Sequence, residues 1–207
     1  MNNKKYFDDV ADKWDSMRKV FFGDAVREKA YEVAKVEKGK IAADIGAGTG
    51  FITEGLLEKG LKIYAIDQSP KMINIMKEKF EYCTEIEYII ADGSSIPLND
   101  DTFDYVFANM YIHHADSPEN AINEMVRILR PNGKLVITDL DEHNFEFLKI
   151  EQFDRWLGFK REHVKSWFEK SGLKNISVDC AGGNCDAESN CGCTSASISV
   201  FVASGNK

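Results

Sequence analysis

The chain has 207 residues, a formal net charge of −8, 43% hydrophobic residues and 29% charged residues. This composition is ordinary for a globular protein, and the length is enough for one compact domain with a sizeable core. The sequence lacks a basic stripe, an apolar run of membrane-spanning length and a signal-peptide core after Met1. We therefore expect a cytoplasmic protein without nucleic acid or membrane partners.

A helical segment is predicted at the start of the chain. Between residues 4 and 19, apolar side chains that include Tyr6 and Trp14 recur on one side of a helix or helix pair. A second helix is predicted over residues 23–36. Tyr6 and Trp14 either help to close a binding site or simply pack onto the core.

The rest of the chain is organised around a glycine-rich turn. The apolar run 41–45 predicts a buried parallel strand, and Gly46, Gly48 and Gly50 then make a tight turn. Helical spacing of apolar residues follows directly. Strand, glycine turn and helix form the first half of a Rossmann-type unit, in which glycine lets the backbone approach a ligand closely.

Two acidic residues indicate the kind of ligand. Asp67 ends the next predicted strand, roughly twenty residues beyond the turn, where a carboxylate can grip a ribose diol. Asp44 ends the first strand and would repel a pyrophosphate, and the Gly-x-Gly-x-Gly pattern differs from the Gly-x-Gly-x-x-Gly of dinucleotide sites. The pattern therefore favours S-adenosylmethionine (SAM), which carries an ammonium group and a sulfonium, over NAD.

Later strands of the predicted parallel sheet also end in polar residues. Asp92 follows the third strand, where its carboxylate either accepts a hydrogen bond from an adenine amino group or caps a turn. Ligands of open parallel sheets bind at the carboxyl ends of the strands. The candidates after the fourth strand, predicted over residues 103–108, are Asn109, Tyr111, His113 and His114.

A run of alternating polar residues follows the fifth strand, predicted over residues 134–138. Asp139, Asp141 and His143 would position or deprotonate an acceptor, or bind a metal with one further ligand. The alternative is a solvated loop with helix-capping aspartates. His143 is the residue in this run that we favour as a general base.

Several ordered motifs resemble class I SAM-dependent methyltransferases, and most closely the subgroup that includes quinone-biosynthesis and arsenite methyltransferases. The motifs are Asp44-x-Gly-x-Gly-x-Gly, Asp67, Ala91-Asp92-Gly93, the segment 103–114 and the segment 127–133. The resemblance implies an α/β fold with a Rossmann-like doubly wound sheet. This sheet is expected to be mostly parallel, with an antiparallel C-terminal hairpin strand and helices on both faces.

The resemblance also implies a domain organisation and a set of site residues. Residues 1–38 would form an N-terminal helical lid over a SAM-binding methyltransferase domain of residues 39–207, and the product would be S-adenosyl-L-homocysteine. The expected cofactor-binding residues are Asp44, Gly46, Ala47, Gly48, Gly50, Asp67, Gln68, Asp92, Gly93 and Asn109. The expected catalytic residues are His143, Asn109 and His113. We expect a small-molecule acceptor and a monomer or homodimer.

A cysteine-rich hairpin loop is predicted over residues 180–195. It leaves a sixth strand that runs parallel to the first five, so the topology places it on the cofactor face. Clustered thiolates bind soft cations and trivalent metalloids, which makes Cys185, Cys191 and Cys193 candidate ligands for such an ion or for zinc. The alternative is a glycine-rich loop whose cysteines are incidental or redox-active.

Three functions therefore stay open at the level of sequence. The first is methyl transfer from SAM to a small acceptor, with thiolate-bound arsenite as one such acceptor. The second is C-, O- or N-methylation of a quinone-like metabolite, with the cysteines as a structural or metal-binding loop. The third is a SAM-binding metal or redox sensor without turnover.

Overall fold

The computed structural model describes residues 3–207 and contains one seven-stranded sheet. The strands are β1 (Ile41–Ile45), β2 (Lys62–Asp67), β3 (Ile86–Ile90), β4 (Phe103–Asn109), β5 (Leu129–Leu140), β6 (Lys174–Glu188) and β7 (Ser195–Asn206). The helices of this part of the chain are α1 (Asn3–Val10), α2 (Trp14–Phe21), α3 (Ala25–Ala34), α4 (Phe51–Glu58), α5 (Pro70–Lys79), α6 (Pro118–Ile128), α7 (Phe147–Glu151) and α8 (Arg161–Lys170).

The sheet is doubly wound, with strand order β3-β2-β1-β4-β5-β7-β6. The pairs β1–β2, β1–β4, β2–β3 and β4–β5 are parallel. Strand β7 is antiparallel to both β5 and β6, so β6 runs in the direction of the first five strands. The predicted Rossmann-like α/β fold with an antiparallel C-terminal hairpin strand is confirmed.

Two hydrophobic cores cover the two faces of the sheet because successive strand residues point to opposite sides. On β4, Phe107 belongs to the core that packs on α3 and α4, whereas Val106 and Ala108 belong to the core that packs on α6 and α8. The strand order reverses between β1 and β4. Ligands of doubly wound sheets bind at such a switch point, beyond the carboxyl ends of the strands.

The N-terminal helices lie across this carboxyl edge. Helix α1 is anchored by a hydrogen bond of 2.6 Å from the Ser69 hydroxyl to Asp8, and α2 by one of 2.5 Å from the Thr49 hydroxyl to Asp15. The helical segment predicted from the sequence is thus confirmed for the residues that the structure describes, and residues 1–2 of the predicted lid lie outside them. In residues 3–207, no helix is long and apolar enough to cross a membrane.

The predicted loop over residues 180–195 is wrong in its extent. Strand β6 continues to Glu188, and its register with β7 pairs Cys185 with Ile198 and Ala187 with Ala196. Alternate side chains of this extension are buried or half-buried in the core on the α3 face, so burial favours a strand. A register shift between Cys180 and Asn184 absorbs the glycines of the segment, and only residues 189–194 connect the two strands.

Candidate active site

A cavity of about 330 Å³ lies at the carboxyl ends of β1, β2, β3 and β4, beneath α1 and α2. We call it the main cavity, and its volume falls in the range of small-molecule sites. Of the expected cofactor-binding residues, it is lined by Asp44, Gly46, Ala47, Gly48, Asp67, Gln68, Asp92, Gly93 and Asn109. The structure therefore brings nearly the whole predicted set together, from four separate strand ends.

Three glycines, Gly46 and Gly50 of the turn and Gly93 after β3, are required by their surroundings. Gly46 has φ +68°, and a Cβ there would lie 2.5 Å from the ring of Tyr111. A Cβ on Gly93 would lie 2.4 Å from the Tyr111 hydroxyl oxygen. Gly50 differs, because a Cβ there would meet Phe80 at 2.6 Å, so its role is to start α4 rather than to line the cavity.

Asp67 is held rigidly at the edge of the main cavity. The backbone N–H of Gly48 donates to its Oδ2 and that of Ser69 to its Oδ1, each over 2.8 Å. Burial raises the pKa of Asp67, and these two backbone hydrogen bonds oppose that effect. Each carboxylate oxygen keeps a second lone pair, so Asp67 can still accept two hydroxyl groups of a diol.

Asp44 is almost fully buried at the end of β1, with a relative exposure of 1%. Its Oδ2 accepts hydrogen bonds from the backbone N–H and the hydroxyl of Thr53, over 3.0 and 2.7 Å. Burial nevertheless raises the pKa of Asp44 to about 7. A cationic ligand group in the cavity would therefore stabilise the ionised form of this carboxyl group.

Asp92 and Asn109 line the cavity and also make local hydrogen bonds. The Oδ1 of Asp92 accepts hydrogen bonds from the backbone N–H and hydroxyl of Ser94, so this residue caps a turn in addition to facing the cavity. Thr138 donates its hydroxyl to the Oδ1 of Asn109 over 2.7 Å, which leaves the amide group of Asn109 as a donor.

Arg18 on α2 is a cavity residue that the sequence analysis missed. Its side chain is buried, its guanidinium carbon lies 4.0 Å from the ring centroid of Phe51, and it donates to the carbonyl of Phe22 over 3.3 Å. Among the described residues, its Nε has no hydrogen-bond partner. The available signal was its position, four residues after Trp14 on the same helical face.

A second, smaller cavity of about 50 Å³ lies beside the main cavity, and we call it the inner chamber. The two cavities share the lining residues Phe7, Trp14, Phe22, Met110 and His114. The inner chamber also has apolar walls, which include Phe21, Leu140 and Leu148. Its polar groups come from His113, His114, Gln152, Asp154 and Cys185.

His113 is the most constrained polar residue of the inner chamber. Its Nδ1 lies 2.7 Å from Asp139, a fully buried carboxylate. Burial alone would lower the pKa of His113, but the charges of Asp139 and Asp154 raise it to about 9. The neighbouring His114 has a pKa well below its ordinary value because of burial and the proximity of His113. The pKa values of the two adjacent histidines are thus shifted in opposite directions.

The run Asp139, Asp141 and His143 does not form one site. Asp139 forms a hydrogen bond with His113, whereas Asp141 accepts two hydrogen bonds from Arg161 over 2.8 and 2.6 Å. The Nδ1 of His143 accepts the backbone N–H of Phe145, and this residue lines neither cavity. Burial, together with His113, lowers the pKa of His143 to about 4. The structure thus brings Asn109 and His113 to the two cavities but not His143.

The three cysteines predicted as ligands do not form one three-thiolate site in the structure. Cys191 and Cys193 form a disulfide, and Ser189 contacts both sulfur atoms. Cys185 is half-buried in the inner chamber, where burial and Asp154 raise the pKa of its thiol to about 12. Because two of the sulfurs are bonded to each other, the three cysteines do not offer three thiolates to one ion here.

Residues 43–137 match the methyltransferase domain family. The chain is 32% identical to the demethylmenaquinone methyltransferase of Renibacterium salmoninarum over 142 residues, which are 67% of this chain and 59% of that relative. The chain carries a methyltransferase domain of the class I SAM-dependent type. It spans between 53% and 62% of the length of three curated relatives that it matches.

Solved structures place the methyltransferase domain in the same fold. A SAM-dependent methyltransferase from Aquifex aeolicus superposes with a TM-score of 0.69 at 21% identity, over 96% of this chain and 97% of the other. The phosphoethanolamine N-methyltransferase 2 of Haemonchus contortus, in complex with S-adenosylhomocysteine, gives a TM-score of 0.71 at 18% identity, over 86% of this chain and 51% of the other. Both likenesses concern the fold.

Proposed function

We propose that the protein transfers the methyl group of SAM to a small acceptor bound in the inner chamber. One observation carries the proposal: the main cavity, which offers a partner for each part of SAM, shares a wall with a second chamber. Bound SAM supplies an activated methyl group, whose carbon bonds to the acceptor while its bond to sulfur breaks and leaves the electron pair on S-adenosylhomocysteine. A protonated acceptor also releases one proton.

The lining of the main cavity fits SAM group by group. Asp44 would hold the ammonium group, and Arg18, whose Nε has no partner within residues 3–207, would hold the carboxylate. Asp67 would accept the ribose hydroxyls and Asp92 the adenine amino group. At Gly48 a Cβ would meet only Trp14, at 3.4 Å, so the absence of a side chain there leaves space for the cofactor, whereas Gly46 leaves space for the ring of Tyr111.

The protein contributes mainly position and exclusion of water. Helices α1 and α2 cover both cavities, and Phe7, Trp14 and His114 lie in the wall that the cavities share. An acceptor in the inner chamber is therefore adjacent to the donor cavity. Holding two reactants in reacting geometry supplies much of the rate in such a displacement.

The inner chamber indicates a small acceptor. Its volume of about 50 Å³ holds roughly three or four water-sized groups in this closed arrangement. Its lining combines apolar side chains with the cluster of His113, His114 and Asp154, which forms its polar side. We infer an acceptor with few non-hydrogen atoms, or the reactive end of a larger molecule such as a quinone-like ring, whose heteroatom faces the polar side.

SAM binding and methyl transfer are tested together. Labelled SAM is incubated with a panel of quinols, phenols, small thiols and amines, and SAM binding is measured separately by calorimetric titration. Asp67→Ala and Gly46→Ala are expected to weaken SAM binding at least tenfold, about 1.4 kcal/mol. The matched control is Gly172→Ala, where φ is +86° but a Cβ meets nothing within 4 Å. Unchanged SAM affinity in the folded Asp67→Ala variant would contradict the proposal.

Arsenite is a second candidate acceptor, because the thiol of Cys185 lies in the inner chamber. This candidate needs further thiolates, which the disulfide between Cys191 and Cys193 would supply only after reduction. Arsenite joins the panel under reducing conditions, with the parent and a Cys185→Ser variant. Methylated arsenic from the parent that vanishes in the variant would support this candidate, whereas equal yields would reject it.

A further inference from the structure

Three ligand-type side chains from two separate segments converge on the polar side of the inner chamber. The Oδ1 of Asp154 lies 3.7 Å from the Nε2 of His113 and 4.0 Å from the Nε2 of His114. One ligand atom from each of the three residues lies within 4.8 Å of the others. Within residues 3–207, no other group of three His, Cys, Asp or Glu side chains meets at this spacing.

These separations are too long for hydrogen bonds and suit a shared ion. Hydrogen bonds between such atoms span about 2.7–3.2 Å. Zinc binds histidine nitrogen and carboxylate oxygen at about 2.0–2.2 Å, so tetrahedral ligand atoms lie about 3.4 Å apart. The two gaps, 3.7 and 4.0 Å, would close by about 0.3–0.6 Å on binding. Rotations of the three side chains supply shifts of this size.

The outer nitrogen of each histidine faces a hydrogen-bond acceptor, as in metal sites. The Nδ1 of His113 lies 2.7 Å from Asp139, and the Nδ1 of His114 lies 3.4 Å from the carbonyl oxygen of Phe153. Asp139 is fixed in turn by backbone N–H groups, including that of Leu140 over 2.7 Å. Metal-binding histidines almost always donate their other N–H to a carboxylate or carbonyl, which orients the ring.

The backbone that delivers Asp154 is unusual. Phe153 has φ +59°, a left-handed conformation that is unfavourable for an aromatic residue. The backbone N–H groups of Arg155 and Trp156 both donate to the carbonyl of His113, over 3.1 and 3.0 Å, and tie the two segments together. Strained residues of this kind cluster at functional sites because the surrounding structure holds them. Here the strain accompanies a carboxylate that is only 7% exposed.

We propose that His113, His114 and Asp154 bind a divalent transition-metal cation, for which zinc is the reference ion. Two imidazoles and one carboxylate suit zinc, and three protein ligands leave a coordination position open. His114 lines both cavities, so a group bound at that position lies between the donor cavity and the inner chamber. The cation would bind the acceptor heteroatom and lower the pKa of that heteroatom. This catalytic role rests on the proposed methyl transfer. Binding of the cation itself does not depend on that proposal.

Zinc binding is measured directly, without an activity assay. The full chain is equilibrated with zinc, and bound metal is counted by mass spectrometry for the parent, Asp154→Asn, His114→Gln and the control His163→Gln, which replaces an exposed histidine. We expect about one zinc per chain in the parent and control, and a loss of at least tenfold in affinity in the other two. The variant Asp139→Asn, which removes only the outer partner, is expected to weaken zinc binding about 10- to 100-fold.

X-ray absorption by the zinc-loaded parent keeps the inference falsifiable if a variant fails to fold. Nitrogen and oxygen ligands alone are expected, and sulfur ligands would overturn the assignment by moving the ion to the cysteines. Zinc bound equally by the folded Asp154→Asn variant, or no zinc bound by the parent, would also overturn it. A SAM titration of the same samples separates the two hypotheses. If the protein binds zinc but not SAM, only the methyltransferase proposal is contradicted. If it binds SAM but not zinc, only the metal site is contradicted.

Discussion

Replacing Asp44 by asparagine tests the electrostatics of the main cavity. Burial raises the pKa of this carboxyl group from 3.8 to about 7 in the ligand-free protein. The folded state therefore holds the proton more tightly than the unfolded chain, and the resulting stabilisation is present at low pH and is lost as the pH rises towards about 7. A shift of about three pKa units corresponds to about 4 kcal/mol of destabilisation at pH 8.

The substitution removes the charge and keeps an oxygen that can accept both hydrogen bonds from Thr53. We expect Asp44→Asn to remove part of this destabilisation. At about 2–4 °C per kcal/mol, the Tm of the SAM-free protein at pH 8 should rise by about 4–10 °C. At pH 5 the folded parent is protonated but the unfolded chain is already mostly ionised, so about 1.6 kcal/mol of the cost remains, and the difference in Tm should fall to less than half of its value at pH 8. The substitution should at the same time weaken SAM binding, because the ammonium group loses its counter-charge.

The assay is scanning calorimetry at pH 5 and pH 8, with and without SAM, supported by SAM titrations. In the parent, SAM affinity is expected to rise about fifty-fold between pH 5 and pH 7 as Asp44 ionises, and the variant should lack this rise. A variant that melts at or below the parent temperature at pH 8 without SAM would refute the reasoning. A parent affinity that does not change with pH would remove Asp44 from the ammonium site.

The remaining predictions concern helix α2, one backbone contact and the disulfide. Arg18→Lys should weaken SAM binding about tenfold in titrations, since lysine lacks the planar fork that pairs with a carboxylate, whereas Lys19→Met should not. Gly158→Ala should lower the free energy of unfolding in urea by more than about 3 kcal/mol, because φ is +67° and a Cβ would lie 2.2 Å from a backbone oxygen. The control Gly172→Ala should cost about 1 kcal/mol. Cys191→Ser breaks the disulfide outside both cavities and should change the free energy of SAM binding by less than about 0.5 kcal/mol.

The donor half of the site was predictable because its residues are set by local geometry. A strand followed by a glycine turn and a helix has one stable arrangement, and the next parallel strand must lie beside it. Asp44, Gly46, Gly48 and Asp67 therefore meet wherever this pattern folds, and the structure places all four at the main cavity. Helix α5 between β2 and β3 was not predicted, although its buried Met72, Ile73 and Met76 follow helical spacing.

The acceptor side was predictable only in part. His113 and Asn109 follow β4 directly, so their place at the carboxyl edge follows from strand direction. Their partners do not follow from the sequence, because Asp154 and Cys185 arrive through long-range packing. His143 was favoured by its spacing after β5, but the chain turns there, and its ring packs near Phe145 instead of the chamber.

The cysteine-rich segment is a second place where long-range packing overrides what the sequence predicts. Glycines and polar residues made residues 180–195 look like a loop, but cross-strand pairing with β7 and burial of alternate residues extend β6 to Glu188. Pairing with a distant strand overrides local propensity in β-structure. Cys185 therefore lies within a strand with a free thiol, whereas Cys191 lies in the connection and is bonded to Cys193.

The sequence by itself determined the β-α-β unit, the SAM-type glycine turn and the direction of each parallel strand, because these depend on short-range periodicity and backbone sterics. Only the tertiary structure decided which side chains share a chamber. It brought Arg18 onto the main cavity, paired His113 with Asp139, and aimed Asp154 at the two histidines through the left-handed backbone at Phe153. These contacts join segments far apart in the chain, and their energies come from burial and packing that no local pattern encodes.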